Sequence, residues 1–350
     1  MLFTQEQRGE EEFVVCYEAN GGKEVWSTGV KGRLQDPLGG PGPRATPTIA
    51  NGRLFTFGSI GHLLCLNPKT GDVVWQKNLP DEDGVKVPMW GFCSSPLVVG
   101  STVVVNTGGA VGTLAFDTET GEQKWAAPSG NNSYSSPQLS QIGDQQYLLM
   151  LSASGMHVID PDSGKEEFSY AWQHQGYRSL QPHMIDGDSI LLPSGLGSGT
   201  RRIRLVQSDE TLSTEDLWTS RSLKPDFNDF VTYEGHAYGF DQTIFTCIDL
   251  ASGEKKWKGG RYGKGQAVLL EDSGVVFVIT EKGQGVLLEA TPSGHKELAK
   301  VKMLNDKTWN HPVVVGDRLY LRNAIEAACY RLASVKVDAV KVSDSASVAE

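Results

Sequence analysis

Aromatic, cationic and amide side chains recur in a set of short loops: GGPGPRATP, PMWGFCSSP, GNNSYSSP, QGYRSLQP, PDFNDFV, RYGKGQA and KTWNHP. They carry Arg44, Trp90, Tyr134, Tyr177, Arg178, Asn228, Lys264, Trp309, Asn310 and His311. Gathered at one opening, such groups bind an anionic or planar ligand; otherwise they plug a channel and satisfy exposed strand ends. The carboxylates of these loops are Asp226 and Asp229, both in PDFNDFV, and a single loop is a thin basis for separate metal-ligand and general-base roles. His62, His157, His174, His183, His236, His295 and His311 form neither HxH nor HExxH, and the chain has no CxxC, so no transition-metal site is read. GxSxG is absent, which removes the hydrolase elbow. GLGSGT (residues 195–200) does not fit GxGxxG and reads as a loop; DPDSG after Ile159 lacks the twelfth-position glutamate of a calcium loop and reads as a turn.

What could bring seven distant loops together is a recurrence. CYEANGGKEVW leads from Cys16 to Trp26, CLNPKTGDVVW from Cys65 to Trp75, AFDTETGEQKW from Ala115 to Trp125. VIDPDSGKEEF runs from Val158 to Phe168, CIDLASGEKKW from Cys247 to Trp257, LEATPSGHKEL from Leu288 to Leu298. Gly22, Gly71, Gly121, Gly164, Gly253 and Gly294 fall at one offset. LVQSDETLSTEDLW, from Leu205 to Trp218, is a stretched copy, and AACYRLA around Cys329 has the first half alone. The spacing of 41 to 50 residues is the period of a repeat architecture.

Each unit has a front half as well. Pro47, Pro96, Pro137, Pro182 and Pro312 open apolar runs, a position a first strand residue tolerates because its missing N–H need not enter the ladder. A tight turn, a second run, a third run, the glycine turn and a fourth run follow, which is one four-stranded antiparallel sheet. No segment holds a 3.6-residue period, so helix content is expected to be low. A lone four-stranded sheet cannot bury both faces; radial copies bury each face against a neighbour. Trp26, Trp75, Trp125, Phe168, Trp218, Trp257 and Leu298 are therefore read as wedges between sheets, with the small residue ten places earlier making room. The fold expected is all-β: an eight-bladed β-propeller of four-stranded blades, residues 1–342, followed by a flexible tail, 343–350.

The repeat resembles the quinoprotein-type β-propeller, or PQQ-like repeat, family, whose tryptophan-docking motif AFDTETGEQKW matches best. The resemblance covers the chain to about Ala333. It implies one of two functions: a non-catalytic scaffold or binding module, as in outer-membrane assembly proteins of the BamB type, or a quinone-cofactor dehydrogenase that uses PQQ and calcium to oxidise an alcohol or sugar. The chain lacks the adjacent Cys-Cys pair of the alcohol dehydrogenase branch, and the binding module is the reading taken, with no cofactor or metal evident and an unknown protein or small molecule at the funnel face.

Composition narrows the partners. In 350 residues the net charge is −10, and no basic run of five or more residues occurs, which disfavours nucleic acid and anionic membrane surfaces. No apolar stretch reaches the length of a bilayer span, and the first 15 residues lack the pattern of a signal peptide. The first unit begins at its second strand. Either Met1 is not the biological start, in which case a longer precursor could carry an export signal upstream and the resemblance implies the cell envelope as compartment, or the other chain end substitutes for the inner strand. SVKVDAVKV (Ser334 to Val342) alternates like a strand and would complete the last blade. Cys16, Cys65, Cys247 and Cys329 share one repeat position and are read as small buried residues, too far apart for disulfides; Cys93 is read as buried near the channel mouth. A monomeric propeller is expected.

Overall fold

The computed structural model describes residues 1–332 apart from 37, 83, 209 and 210. They form eight antiparallel sheets, six of four strands and two of three, with two single-turn 3-10 helices as the only helical segments among the described residues. Pairing within each sheet is strictly sequential. Each sheet is therefore one blade, made by one stretch of chain. The residues 334–350, including the alternating SVKVDAVKV run, lie outside the described residues.

In blades 2 to 5 the proline-led run makes the inner strand, Thr48–Ala50, Leu97–Val99, Gln138–Ile142 and His183–Ile185, and in blades 6 and 7 the inner strands Val231–Tyr233 and Gly265–Leu270 begin without a proline. Blade 1 consists of Leu2–Arg8, Glu11–Tyr17 and Glu24–Lys31. The last of these carries Trp26, which marks it as a fourth strand, so no inner strand of blade 1 is found among the described residues, as the sequence indicates. Blade 8 has inner (Val313–Val315), second (Arg318–Arg322) and third (Ala327–Arg331) strands. The ring closes where blade 8 meets blade 1. There the Arg322 guanidinium donates to Gln5 O at 3.0 Å, Tyr320 Oη to Ala19 O at 3.5 Å, and Lys307 Nζ to Leu38 O at 3.0 Å.

The core lies mainly between blades. Phe55, Cys65, Val103 and Phe116 join blades 2 and 3; Leu149, Val158, Ile190 and Ile203 join blades 4 and 5; Tyr238, Cys247, Val276 and Val286 join blades 6 and 7. The tryptophans extend this packing to the rim. Each pairs across its own hairpin with the small residue (Cys16 with Trp26, Cys65 with Trp75, Ala115 with Trp125, Cys247 with Trp257). Its indole then reaches the third-to-fourth turn of the next blade. The Nε1 atoms of Trp26, Trp75, Trp125, Trp218 and Trp257 donate to the carbonyls of Pro68, Thr118, Pro161, Leu250 and Thr291 at 2.7–3.2 Å. Gly121 shows why the turn needs glycine. Its φ is +72°, and a Cβ there would fall 2.8 Å from the Trp75 ring. The Trp26, Trp125 and Trp218 rings crowd Gly71, Gly164 and Gly253 in the same way.

Three sequence expectations are corrected. Leu298 is not a wedge: it is 48% exposed. The blade 7 turn runs from Glu289 to Lys296, two residues longer than its counterpart from Asp249 to Glu254, and Ala299 takes the wedge's register opposite Leu287. In blade 5, Trp218 pairs with Arg202, not with the Leu205 region, because the hairpin extends well beyond the usual turn. Cys329 is exposed, unlike Cys16, Cys65 and Cys247, because no fourth strand covers it among the described residues.

Candidate functional site: the channel mouth

The loops that lead from one blade's outer strand to the next blade's inner strand come together on one face. Hydrogen bonds between consecutive loops fix them. Ser95 Oγ accepts from Thr46 N, and Ser136 Oγ accepts from Ser95 N, each at 2.9 Å; Gln181 Nε2 donates to Pro137 O at 3.1 Å. The serine before the proline thus links one blade to the next, a role the sequence does not announce.

On this belt sit three groups. Trp90, Tyr134 and Tyr177, from three successive loops, form an aromatic cluster with ring centroids 4.3–5.7 Å apart. Burial pushes both tyrosine hydroxyls above their ordinary pKa, so they stay protonated donors. Across the mouth Phe227 and Trp309 lie 5.9 Å apart. Lys264 sits over Phe227 at 5.2 Å and Lys307 over Trp309 at 3.9 Å, cation–π contacts that hold both rings. Trp309 Nε1 donates to Glu281 Oε1 at 2.8 Å. Between these clusters, Asp229 has His183 Nε2 3.5 Å from one oxygen and His311 Nε2 3.6 Å from the other. Burial works to raise the Asp229 pKa, but the two imidazoles and the Phe230 N–H outweigh it and hold the carboxyl below its usual value. His183 stacks on Phe230 at 4.3 Å.

Arg44 is held at the rim by Asp36 at 2.8 Å. Asn310 is half-buried and His311 exposed. Two of the sequence candidates do not present themselves to the mouth. Arg178 is fully buried and donates to Ser152 O and Trp172 O at 2.8 and 2.7 Å while stacking on the Trp172 ring; it is a strut between loops. Burial pushes its pKa down to about 10. Asn228 is also fully buried, its amide donating to Pro225 O and accepting from Gly265 N. Cys93 is half-buried, with a thiol that burial raises to about 12. Sequence reasoning missed His183, Phe227 and Lys307.

Asp226 accepts from Leu196 N and is paired with Lys264, and both Asn228 amide atoms are committed elsewhere. Among the described residues no group of three His, Cys, Asp or Glu is arranged around a common metal position.

A ring of eight blades locked by tryptophans, with a loop-built mouth on its axis, defines a PQQ-like β-propeller. Residues 10–259 match the family model described as outer membrane protein assembly factor BamB, and the chain belongs to that family. The match stops before blade 7, where the docking motif slips. No curated protein matches the chain in sequence. Among solved structures it is similar to BamB from Moraxella catarrhalis, with a TM-score of 0.65, 14% identity, and coverage of 93% of this chain and 92% of that one. It is also similar to quinohemoprotein alcohol dehydrogenase from Comamonas testosteroni, with a TM-score of 0.61, 13% identity and coverage of 91% and 69%. A europium-containing methanol dehydrogenase gives a TM-score of 0.59, 14% identity and coverage of 91% and 80%. At these identities the likeness concerns the fold.

Proposed function

We propose that this propeller is a non-catalytic binding module of the cell envelope that docks a protein partner on its channel-mouth face. One observation carries the reading. Apart from Met1, the most exposed large apolar side chains among the described residues are Met89, Ile325, Leu38 and Leu196, 78% to 64% exposed, and all four stand on loops of the mouth face. Exposed apolar groups gathered around an aromatic cluster, with charged groups between them, are the makings of an interface. The engagement of Asp226 by Lys264 and of Asn228 by backbone also favours binding over oxidation chemistry. The family's outer-membrane assembly role supports the envelope setting. No helix among the described residues is long and apolar enough to cross a membrane.

Photo-crosslinkers at Met89 and Ile325, with Lys69 on the opposite face as control, test this in cells. Discrete adducts from the first two positions alone support the reading. Adducts from Lys69 alone, or dye reduction by the purified chain with quinone, calcium and an alcohol, overturn it. A quinone that bound the folded chain at about 100 times its Kd would also raise stability by about 2.7 kcal/mol.

A further inference from the structure

The aromatic cluster of the mouth has an unbalanced hydrogen-bonding surface. Six of the chain's eight tryptophans, Trp26, Trp75, Trp125, Trp218, Trp257 and Trp309, donate their indole N–H within the fold. The Trp90 indole N–H has no partner among the described residues, and neither has the Tyr177 hydroxyl. Tyr134 Oη accepts from Trp90 N at 3.5 Å, which leaves its own proton free to donate. All three side chains are half-buried, so each ring offers both apolar surface and a donor. The acceptors nearby are already engaged. Asp36, whose charge acts on Tyr134, has a side chain only 3% exposed and accepts from Arg44 and from the N–H groups of Leu38 and Gly39. Asp226, whose charge acts on Tyr177, is taken by Lys264 and by Leu196 N.

The rings are also spread and braced. Their planes are inclined to one another by 55° to 86°, so they fan out and leave notches between their faces. The Tyr134 and Tyr177 loops are joined by a parallel bridge between Ser133 and Arg178, in which Tyr134 N donates to Arg178 O at 2.8 Å and Arg178 N to Asn132 O at 3.1 Å. The buried Arg178 guanidinium holds this bridge against Ser152 O and Trp172 O. A surface ordered before its ligand arrives loses less entropy on binding. Its complement needs carbonyl acceptors, few N–H donors and ring-sized apolar groups for the notches. A polyproline II run supplies all three: proline has no N–H, its carbonyls make no internal hydrogen bond, and its pyrrolidines project three to a turn. A sugar would bring donors as well as acceptors, and a β-strand would bring N–H groups that the engaged carboxylates cannot meet.

We propose that Trp90, Tyr134 and Tyr177 form a polyproline-recognition site, which takes a proline-rich segment of the partner protein. Pyrrolidine rings of that segment seat between the aromatic rings, and its carbonyls accept from Trp90 Nε1, Tyr134 Oη and Tyr177 Oη. The assignment rests on the docking role proposed for the mouth face and names the chemistry of what docks there. Met89, the neighbour of Trp90 in the chain, is 78% exposed and adds apolar surface on the same loop.

The test uses the full 350-residue chain and a fluorescein-labelled peptide, Gly-Pro-Pro-Pro-Pro-Pro-Pro-Gly, capped at both ends. Anisotropy should show saturable binding with Kd below about 1 mM, and a glycine–serine peptide of the same length should bind about tenfold more weakly or worse. Trp90→Phe and Tyr177→Phe keep a ring and remove a donor. Each should weaken binding about three- to tenfold while leaving melting unchanged. Trp309→Phe, at an indole whose N–H is already engaged by Glu281, should alter binding by less than about twofold. Failure to saturate, equal affinity for the two peptides, or indifference to both Trp90→Phe and Tyr177→Phe overturns the proposal. Crosslinks from Met89 in cells report the docking role separately, so failure here with those adducts present sinks the polyproline assignment alone.

Discussion

Trp75 and Gly121 meet across the junction of blades 2 and 3, the indole filling the space a Cβ would need and its Nε1 donating to Thr118 O at 3.0 Å. The contact ties a side chain in one repeat to a turn in the next, so glycine and tryptophan recur together. Gly121→Ala is expected to cost about 2–4 kcal/mol, from left-handed backbone strain plus displacement of the ring. Trp75→Ala should cost about 3–5 kcal/mol, and the double variant less than the sum of the two. Urea denaturation of the three variants measures both effects.

Leu298 supplies the contrast. Being exposed and out of register, it should be replaceable by Ala for less than about 0.5 kcal/mol, whereas Trp257→Ala, at a nearly buried position, should cost about 3–5 kcal/mol. Comparable losses at the two sites would refute the register assigned to blade 7.

His174 should make stability pH-dependent. It is buried, accepts from or donates to Ser198 Oγ at 2.9 Å, and burial, aided by nearby Arg178, holds its pKa below the ordinary 6.5. The unfolded chain takes up the proton first as pH falls, so this contribution is complete above pH 6.5 and is lost as pH drops toward the folded-state value. Melting temperatures of wild type and His174→Gln should therefore converge between pH 7 and about pH 5. A constant difference between them would show that His174 does not titrate as described.

Thiol chemistry checks the outer edge of blade 8, which no strand covers among the described residues. Cys329 is exposed, while Cys16, Cys65 and Cys247 are buried, with the Cys65 and Cys247 thiols raised by burial to about 11 and 12. An aromatic disulfide reagent should modify Cys329 rapidly in the native chain and the buried three only in denaturant. Protection of Cys329 would mean that something covers the outer edge of blade 8.

The blade count, the strand order and four of the tryptophan contacts, those of Trp26, Trp75, Trp125 and Trp257, were legible in the sequence, because wedge, turn glycine and small partner sit within eleven residues and report on one local hairpin. Leu298 misled because the local pattern survives a turn lengthened by two residues, and only pairing shows that the register has moved. Arg178 and Asn228 misled for a different reason. The sequence places them on the right loops, but whether a loop residue faces the mouth or braces it depends on neighbours such as Trp172 and Gly265 from other stretches of chain. His183 and Asp229 meet only through the ring itself.

The tryptophan contacts all point from one blade to its successor, and they are absent at identifiable places. Phe168 has no indole N–H and meets an extended hairpin in place of a turn, and Ala299 offers no ring at all. Among the described fourth strands, two therefore leave a seam without this lock, between blades 4 and 5 and between blades 7 and 8. Thermal breathing should start along these lines, and any twist imposed by a bound partner would be relieved there while the intervening blades move as rigid sectors.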